Sequence, residues 1–150
     1  MKKLLTILFA ALLPLTAMAH GPSPQKVEKS IVIKAEPAKV WAMLKDFGHF
    51  PKWHPSADGA KFKSADDADM KFKYEYTETK LAVADYNAFL TVKAGPGAGE
   101  STVSWTARFY RTYKLNPPIP PGQDDESALK AANDLMDAGL AGLKKMAEGK

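Results

Sequence analysis

Two segments of alternating hydrophobicity, joined by a glycine-rich turn, constrain the fold of this chain more than any other feature. The first runs from Ala82 to Ala94 and the second from Ser101 to Tyr113, and apolar residues recur at every second position in both. Such alternation is typical of strands with one buried face. The sequence GPGAG at 95–99 lies between them and favours a tight reversal. The sequence therefore predicts an antiparallel β-hairpin over residues 82–113.

Two further strands are predicted before this hairpin. Residues 27–35 (VEKSIVIKA) alternate between apolar and polar positions, and a second alternating segment begins at Met70. In this second segment Phe72, Tyr74 and Tyr76 share a face with Met70, while lysines and Glu75 occupy the other face. Both segments are predicted to be half-buried strands of the same sheet.

A short helix is predicted between the first two strands. Pro37 suits the first turn of a helix, where its missing N–H costs nothing. Val40, Leu44 and Phe47 follow at helical spacing. The predicted helix therefore runs from about Pro37 to Phe47, and the prolines at 51 and 55 predict a short helical turn or rigid loop after it.

The C-terminal segment has the pattern of a long amphipathic helix. Acidic residues 124–126 crowd its start, and Lys144 and Lys145 crowd its end, which is the charge order that the helix dipole favours. An apolar stripe runs along it, and Gly139 and Gly142 lie in or beside that stripe. These glycines would admit another backbone at close range or leave room for a ligand. We predict an α+β fold in which one antiparallel sheet packs on this helix.

Residues 1–19 have the pattern of an export signal. A basic start at Met1–Lys3 precedes an uncharged, mostly apolar stretch that ends in the small-x-small sequence Ala17-Met18-Ala19. The alternative is a membrane anchor, but the apolar stretch is shorter than the roughly 20 residues that a spanning helix needs. We expect cleavage after Ala19, which leaves residues 20–150 as a single domain.

Charge and composition exclude several classes of function. Removal of Lys2 and Lys3 lowers the formal net charge from +4 to +2, and no basic run interleaved with aromatic residues remains, so nucleic-acid binding is not favoured. The chain has no cysteine, which excludes disulfides, iron–sulfur clusters, thiolate zinc sites and a cysteine nucleophile. No nucleotide-binding or hydrolase motif occurs, and we predict neither a catalytic residue set nor a bound cofactor.

The order of elements and several motifs resemble a known superfamily. The stretch EPAKVWAMLKDFGHFPKWHP at 36–55, followed by a meander and a C-terminal helix, is similar to the START-like helix-grip superfamily (SRPBCC, polyketide cyclase/dehydrase-like). Residues 20–35 (HGPSPQKVEKSIVIKA) and 101–111 (STVSWTARFYR) further resemble the MxaD-type family of methanol oxidation systems.

The resemblance implies an antiparallel sheet wrapped on a long C-terminal helix with an apolar cavity between them. It implies a bacterial periplasmic protein that accompanies methanol dehydrogenase and its cytochrome acceptor. One departure concerns the interval between Pro55 and Met70, where the superfamily has a further strand pair. Only a stub at Lys61–Lys63 fits in this interval, so the sheet is expected to be one hairpin shorter than usual.

The candidate ligand-binding residues are aromatic residues of the predicted concave face together with one histidine. They are Trp53, His54, Tyr74, Tyr76, Tyr86 and Trp105. The simpler alternative for the aromatic residues is ordinary core packing. For His54, the functional interpretation is a hydrogen-bonding or acid–base group at a cavity mouth, and the alternative is a surface histidine that caps a turn.

Three other groups of residues are weaker candidates. Arg108 and Arg111 either bind a carboxylate or a partner protein, or are solvated strand charges. The acidic residues of 66–69 lack the glycine and distal glutamate of a calcium loop and are interpreted as a solvated loop. His20, the expected mature N-terminus, is a weak candidate for copper binding, and we predict no metal site.

Three hypotheses of function follow from the residues and the resemblance. The first is a non-enzymatic periplasmic accessory protein that docks to methanol dehydrogenase or its cytochrome and binds a small hydrophobic ligand. The second is an enzyme of the cyclase/dehydratase type that uses His54 or Tyr76 for proton transfer. The third is a carrier of lipids or other hydrophobic molecules.

Overall fold

The computed structural model describes residues 21–149, so the expected export signal and His20 lie outside the described residues. The predicted α+β class is confirmed. Five strands and three α-helices follow one another in the order β1 Gln25–Ile33, α1 Pro37–Lys45, α2 Phe50–Trp53, β2 Ala60–Asp66, β3 Lys71–Tyr76, β4 Ala84–Ala94, β5 Ser101–Tyr110 and α3 Asp125–Glu148.

The strands form one antiparallel sheet in the order β1-β5-β4-β3-β2. The predicted hairpin is β4 and β5, and the Gly95 N–H donates to the Glu100 carbonyl over 2.8 Å to close its turn. The strand predicted up to Tyr113 ends at Tyr110. On β3, β4 and β5 the predicted apolar face is the buried face that packs towards the helices.

The interval between Pro55 and Met70 contains one strand, β2, in place of the strand pair that the resemblance implies. β2 pairs with β3 and carries a bulge between Phe62 and Ser64. The sheet therefore has the expected shorter form. β2 and β1 are its edge strands, and β2 is exposed along nearly its whole length.

The helix α3 crosses the inner face of the sheet. The Asp124 side chain accepts a hydrogen bond from the Ser127 N–H at 3.0 Å and caps the first turn. Gly149 ends the helix in the left-handed conformation, with a φ of 71°. A Cβ atom at Gly139 would lie 2.5 Å from the Trp105 ring, and one at Gly142 would lie 2.5 Å from the Trp53 carbonyl oxygen. The predicted close approach of another backbone is therefore confirmed at Gly142, whereas Gly139 makes room for a side-chain ring.

The helix α1 ends two residues before the predicted Phe47. The Asp46 side chain accepts from the Gly48 N–H at 2.9 Å and begins a 3₁₀ turn over Phe47–His49. The buried Trp41 of α1 donates its indole N–H to Asp67 at 2.9 Å. Asp67 was interpreted as part of a solvated loop, but its carboxylate anchors α1 to the β2–β3 turn.

The interpretation of Arg111 as a partner-binding or solvated strand charge is wrong. The side chain is 5% exposed. Its Nε donates to the Tyr113 carbonyl at 2.8 Å and its Nη2 to the Leu115 carbonyl at 3.2 Å, and Nη1 lies 3.6 Å from the Asp125 carboxylate. Arg111 therefore fastens the proline-rich connector to the sheet end and to the start of α3.

A substitution at Gly142 tests how tightly α3 is seated. Alanine in place of glycine stabilises an unhindered helix by about 1 kcal/mol. Here the new methyl group meets a backbone carbonyl, which cannot rotate away. We expect Gly142→Ala to lower the free energy of unfolding by about 1–3 kcal/mol, measured by urea denaturation.

The control is Ala141→Gly, at a neighbouring exposed position on the same turn. It measures what a glycine costs this helix where no tertiary contact is involved. It should cost about 1 kcal/mol. A gain of stability for Gly142→Ala would show that the helix has room at this point and would contradict the close contact.

Candidate functional site

A chain of hydrogen bonds between polar side chains runs through the aromatic core. The Ser56 N–H donates to His54 Nδ1 at 3.1 Å, so Nε2 carries the proton of the neutral ring. His54 Nε2 lies 2.8 Å from the Tyr74 hydroxyl, which lies 2.8 Å from the Tyr86 hydroxyl. The protons therefore run from His54 to Tyr74 and from Tyr74 to Tyr86. The Tyr86 O–H is left as the terminal donor.

His54 is held in place by local chain geometry. It follows the last residue of α2, and its backbone N–H donates to the Phe50 carbonyl at 2.9 Å. The Phe50 ring stacks on the imidazole with centroids 4.2 Å apart. Pro51 and Pro55 restrict the backbone on either side. The ring is 3% exposed, so the alternative of a surface histidine is wrong, although the ring does cap the turn at Ser56.

The phenols are brought together by the register of the sheet. Tyr74 lies on β3 opposite Ala88 of β4, which in turn lies opposite Ala107 of β5. These two alanines are small and buried, so the centre of the inner face has room for rings from the flanking positions. Tyr86 and Trp105 occupy this room, with the Tyr74 centroid 5.7 Å from the first and 6.2 Å from the second.

All six residues predicted to bind a ligand lie in this one cluster. Trp53 packs edge-on against Trp105 at 5.8 Å, and Tyr76 lies 4.9 Å from Tyr86, measured between ring centroids. The Tyr76 hydroxyl donates to the Ser56 carbonyl at 2.5 Å. Their role as ligand contacts stays a prediction. Phe50 was missed, although its spacing of four residues from His54 on a helical turn was a usable signal.

Ser56 was also missed, and no sequence signal marks it, because it acts through its backbone. Its N–H fixes the tautomer of His54 and its carbonyl accepts from Tyr76. One residue thus fixes two polar groups of the cluster at once.

One indole N–H group in the cluster has no acceptor among the described residues. It belongs to Trp53, which is 3% exposed, whereas the Trp105 indole interacts with the Tyr74 and Tyr86 phenols and opposes the rise of their pKa values. The third tryptophan, Trp41, differs, because Asp67 accepts from it. A buried donor without a partner costs about 1–3 kcal/mol. The cluster therefore holds unused hydrogen-bonding capacity.

The titratable groups of the cluster stay neutral near pH 7. Burial lowers the pKa of His54 to about 3, and the Ser56 N–H that donates to Nδ1 fits the neutral ring. Burial raises the pKa of Tyr76 to about 12. Burial and the neighbouring Tyr86 phenol hold the pKa of Tyr74 well above its usual range. The site thus offers neutral donors and no charge.

A surface depression of about 330 Å³ opens beside the cluster. It is lined by Ser56, Asp58, Gly59, Glu78, Thr79 and Lys80, where the α2–β2 loop meets the end of β3. Gly59 has a φ of +77°, and a Cβ there would lie 1.7 Å from the Glu78 carbonyl oxygen. Ser56 thus lies between this depression and the hydrogen-bonded core residues.

Two further searches concern residues 21–149 alone. No group of three or more His, Asp or Glu side chains in this range is arranged to hold a metal ion. No helix in this range combines the length and the apolar composition that crossing a bilayer requires.

A family model and several solved structures are similar to this chain. The model described as polyketide cyclase/dehydrase and lipid transport matches residues 24–68 and 60–148. The two matched segments overlap at β2, which fits a sheet that is one hairpin short. No curated protein has significant similarity to the chain.

The structural likenesses concern the fold. The Zhui aromatase/cyclase from Streptomyces sp. R1128 superposes with a TM-score of 0.67 at 17% identity, over 84% of this chain and 94% of that one. The protein XoxI from Bacillus cereus gives 0.64 at 19%, over 81% and 94%. Truncated norcoclaurine synthase from Thalictrum flavum gives 0.61 at 11%, over 84% and 94%.

The depressed pKa of His54 predicts an acid-sensitive stability. Between about pH 6.5 and pH 3 the unfolded chain binds a proton at His54 that the native protein does not bind. This contribution to stability is complete above pH 6.5 and is lost as the pH falls, by up to about 1.4 kcal/mol per pH unit. The measurement is urea denaturation at a series of pH values.

The control for this prediction is His54→Gln, which keeps a donor for Tyr74 but does not titrate. The difference in unfolding free energy between the two proteins should change with pH between 6.5 and 3. Parallel curves would show that His54 titrates normally and would contradict its burial as a neutral ring.

Proposed function

We propose, because this chain belongs to the polyketide cyclase/dehydrase and lipid transport family, that it is a non-enzymatic, exported binding protein with a ligand site inside the helix-grip. The ligand is a small, neutral, mostly apolar molecule that carries a hydrogen-bond acceptor. The protein acts as an accessory of a methanol oxidation system and docks to methanol dehydrogenase or its cytochrome acceptor.

The unpaired donors of the core are the observation that carries the binding function. The indole N–H group of Trp53 lacks an acceptor among the described residues, and the Tyr86 hydroxyl ends the chain of hydrogen bonds. An oxygen atom of a ligand placed among them would satisfy donors that now carry a desolvation cost. Because every polar group around them is neutral, a charged ligand would lose its hydration without compensation.

The same chemistry argues against a proton-transfer enzyme. A general acid or base works best with a pKa near the working pH. The pKa of His54, at about 3, makes it a weak base, and the pKa of Tyr76, at about 12, makes it a weak acid.

A cyclase/dehydratase-type enzyme is the alternative within the family. Turnover of an aromatic polyketide-like substrate that is lost in both His54→Ala and Tyr76→Phe would favour it.

The methanol-oxidation role is supported by sequence resemblance and by the expected export signal. Two of the stretches that carry the resemblance, 20–35 and 101–111, contain β1 and β5, which pair along the whole length of β1. With no cysteine and three histidines in the chain, the proposed part in periplasmic oxidation is one of contact and not of electron transfer.

The binding function predicts a specific response to a ligand carbonyl. We expect acetophenone to shift the indole N–H resonance of Trp53 in ¹H–¹⁵N spectra, because its oxygen accepts from that donor. The Trp41 indole, which already donates to Asp67, should stay in place as an internal control. Ethylbenzene, which has a similar shape but no oxygen, should bind about fivefold or more weakly, a loss of about 1 kcal/mol.

The variant Tyr86→Phe removes the terminal donor and should reduce this preference for acetophenone. Its matched control is Tyr110→Phe, since Tyr110 lies on the opposite face of the sheet. Equal shifts with both ligands, or shifts of Trp41 alone, would contradict an acceptor-binding interior.

The accessory role predicts retention of a specific partner. Tagged mature protein, residues 20–150, should retain purified methanol dehydrogenase or its cytochrome acceptor at low ionic strength. The control is the same resin without the tagged protein, which reports non-specific capture. Failure to retain either protein, with the folded state verified by circular dichroism, would contradict the accessory role and leave the ligand site untouched.

A further inference from the structure

The outer face of the sheet, which points away from α3, carries more basic than acidic side chains. Strand register places these side chains on a common face, because directly paired residues of antiparallel strands point the same way. The basic side chains are Lys26, Lys61, Lys63, Lys71, Lys73, Lys93 and Arg108. The acidic ones are Glu28, Asp66, Glu75 and Asp85.

Three of the four acidic side chains are already paired with lysines. Glu28 lies 2.7 Å from Lys26, Glu75 lies 3.3 Å from Lys63, and Asp85 forms an ion pair with Lys114. Within residues 21–149, Lys73 and Arg108 form no ion pair and are exposed, although Lys26 and, more weakly, Arg108 lower the pKa of the Glu28 carboxyl. The strands of the outer face therefore carry more basic than acidic side chains, with Lys73 and Arg108 near the centre.

The centre of this face is a shallow concavity, which we name the basic patch and define as Lys63, Lys71, Lys73, Phe89 and Arg108. A depression of about 210 Å³ is lined by these residues except Lys71, together with Asn87, Ala88 and Thr106. Lys73 lies directly opposite Phe89, and the Lys71 ammonium lies 4.1 Å from the centroid of the Phe89 ring. A half-buried aromatic ring thus lies beneath a group of cations.

We propose that the basic patch docks an acidic surface of a partner protein. Arg108 offers a planar fork that matches a carboxylate, and the lysines offer mobile point charges around it. Phe89 provides an apolar floor on which the stem of a Glu or Asp side chain packs. Charge complementarity of this kind raises the association rate and selects the partner. This inference deepens the proposed docking function by naming its surface, and it rests on that function.

The alternatives fit this surface less well. A second copy of the chain would bring Lys73 and Arg108 against their own counterparts if the two outer faces met, which like-charge repulsion disfavours. A membrane would need apolar side chains that protrude into the lipid, whereas Phe89 is half-buried beneath the Lys71 ammonium. The inner-face cluster cannot contribute, because the sheet separates it from the basic patch.

The test compares two double charge reversals. Lys73→Glu/Arg108→Glu inverts the centre of the basic patch. Lys39→Glu/Lys145→Glu changes the net charge equally but lies on α1 and α3, at exposed positions on the helical side. Affinities for purified methanol dehydrogenase and for its cytochrome acceptor are measured from about 20 to 200 mM salt, a range over which screening of exposed charges changes strongly.

We expect the patch variant to lose about tenfold or more in affinity for the partner and most of its salt dependence. The control variant should keep both. If wild type binds and the patch variant binds equally well, the proposal for this surface is overturned while the accessory function stands.

If wild type binds neither protein, the accessory function fails, and the surface is judged with a defined acidic probe. An octaglutamate peptide should then shift backbone amides of residues 71–73, 87–89 and 106–108, and the shifts should vanish in the patch variant. Shifts elsewhere, or none, would overturn the proposal. Patch-dependent binding to phosphatidylglycerol vesicles without peptide binding would overturn it too, in favour of a lipid surface.

Discussion

The contact between the backbone of α3 and two tryptophans determines how the rest of the molecule is arranged. Gly139 lies against the Trp105 ring and Gly142 against the Trp53 carbonyl, at distances that leave no room for a side chain. This close seating brings α3 onto both the sheet and α2. The inner face of the sheet is thereby closed off from water, and every polar group on it must find a partner inside.

The polar chain of the core is the consequence of that closure. His54, Tyr74 and Tyr86 satisfy one another in sequence, and Ser56 anchors the first of them. This chain of hydrogen bonds ends in a donor, and the Trp53 indole nearby adds a donor without an acceptor. Burial therefore produces an interior that is neutral yet rich in donors, which is the basis for proposing an acceptor-bearing, uncharged ligand.

The two faces of the sheet differ in their chemistry and can serve different tasks. The inner face is aromatic and neutral, while the outer face is polar and carries lysines and an arginine around the shallow depression at Phe89. Since strand residues alternate between faces, Tyr74 on the inside and Lys73 on the outside are neighbours in sequence. Ligand binding inside and partner docking outside are thus compatible in one small domain.

The sequence by itself determined the strands, the hairpin, the long C-terminal helix and the membership of Tyr74, Tyr86 and Trp105 in one apolar face, because periodicity reports which side of an element is buried. It also determined the shorter sheet, since the interval before Met70 has room for one strand only. It did not determine which partners Arg108 and Arg111 have, because both carry the same side chain and lie three residues apart.

Only the tertiary structure shows what these two arginines contact. Arg111 follows the end of β5 and is buried by its contacts with the connector and Asp125, while Arg108 stays exposed on the outer face. In the same way, His54 became a buried neutral ring because Phe50, Trp105 and the backbone of Ser56 enclose it. Hydrogen bonds to backbone atoms and the desolvation of a ring depend on distant segments that come together in space, and no local sequence pattern records them.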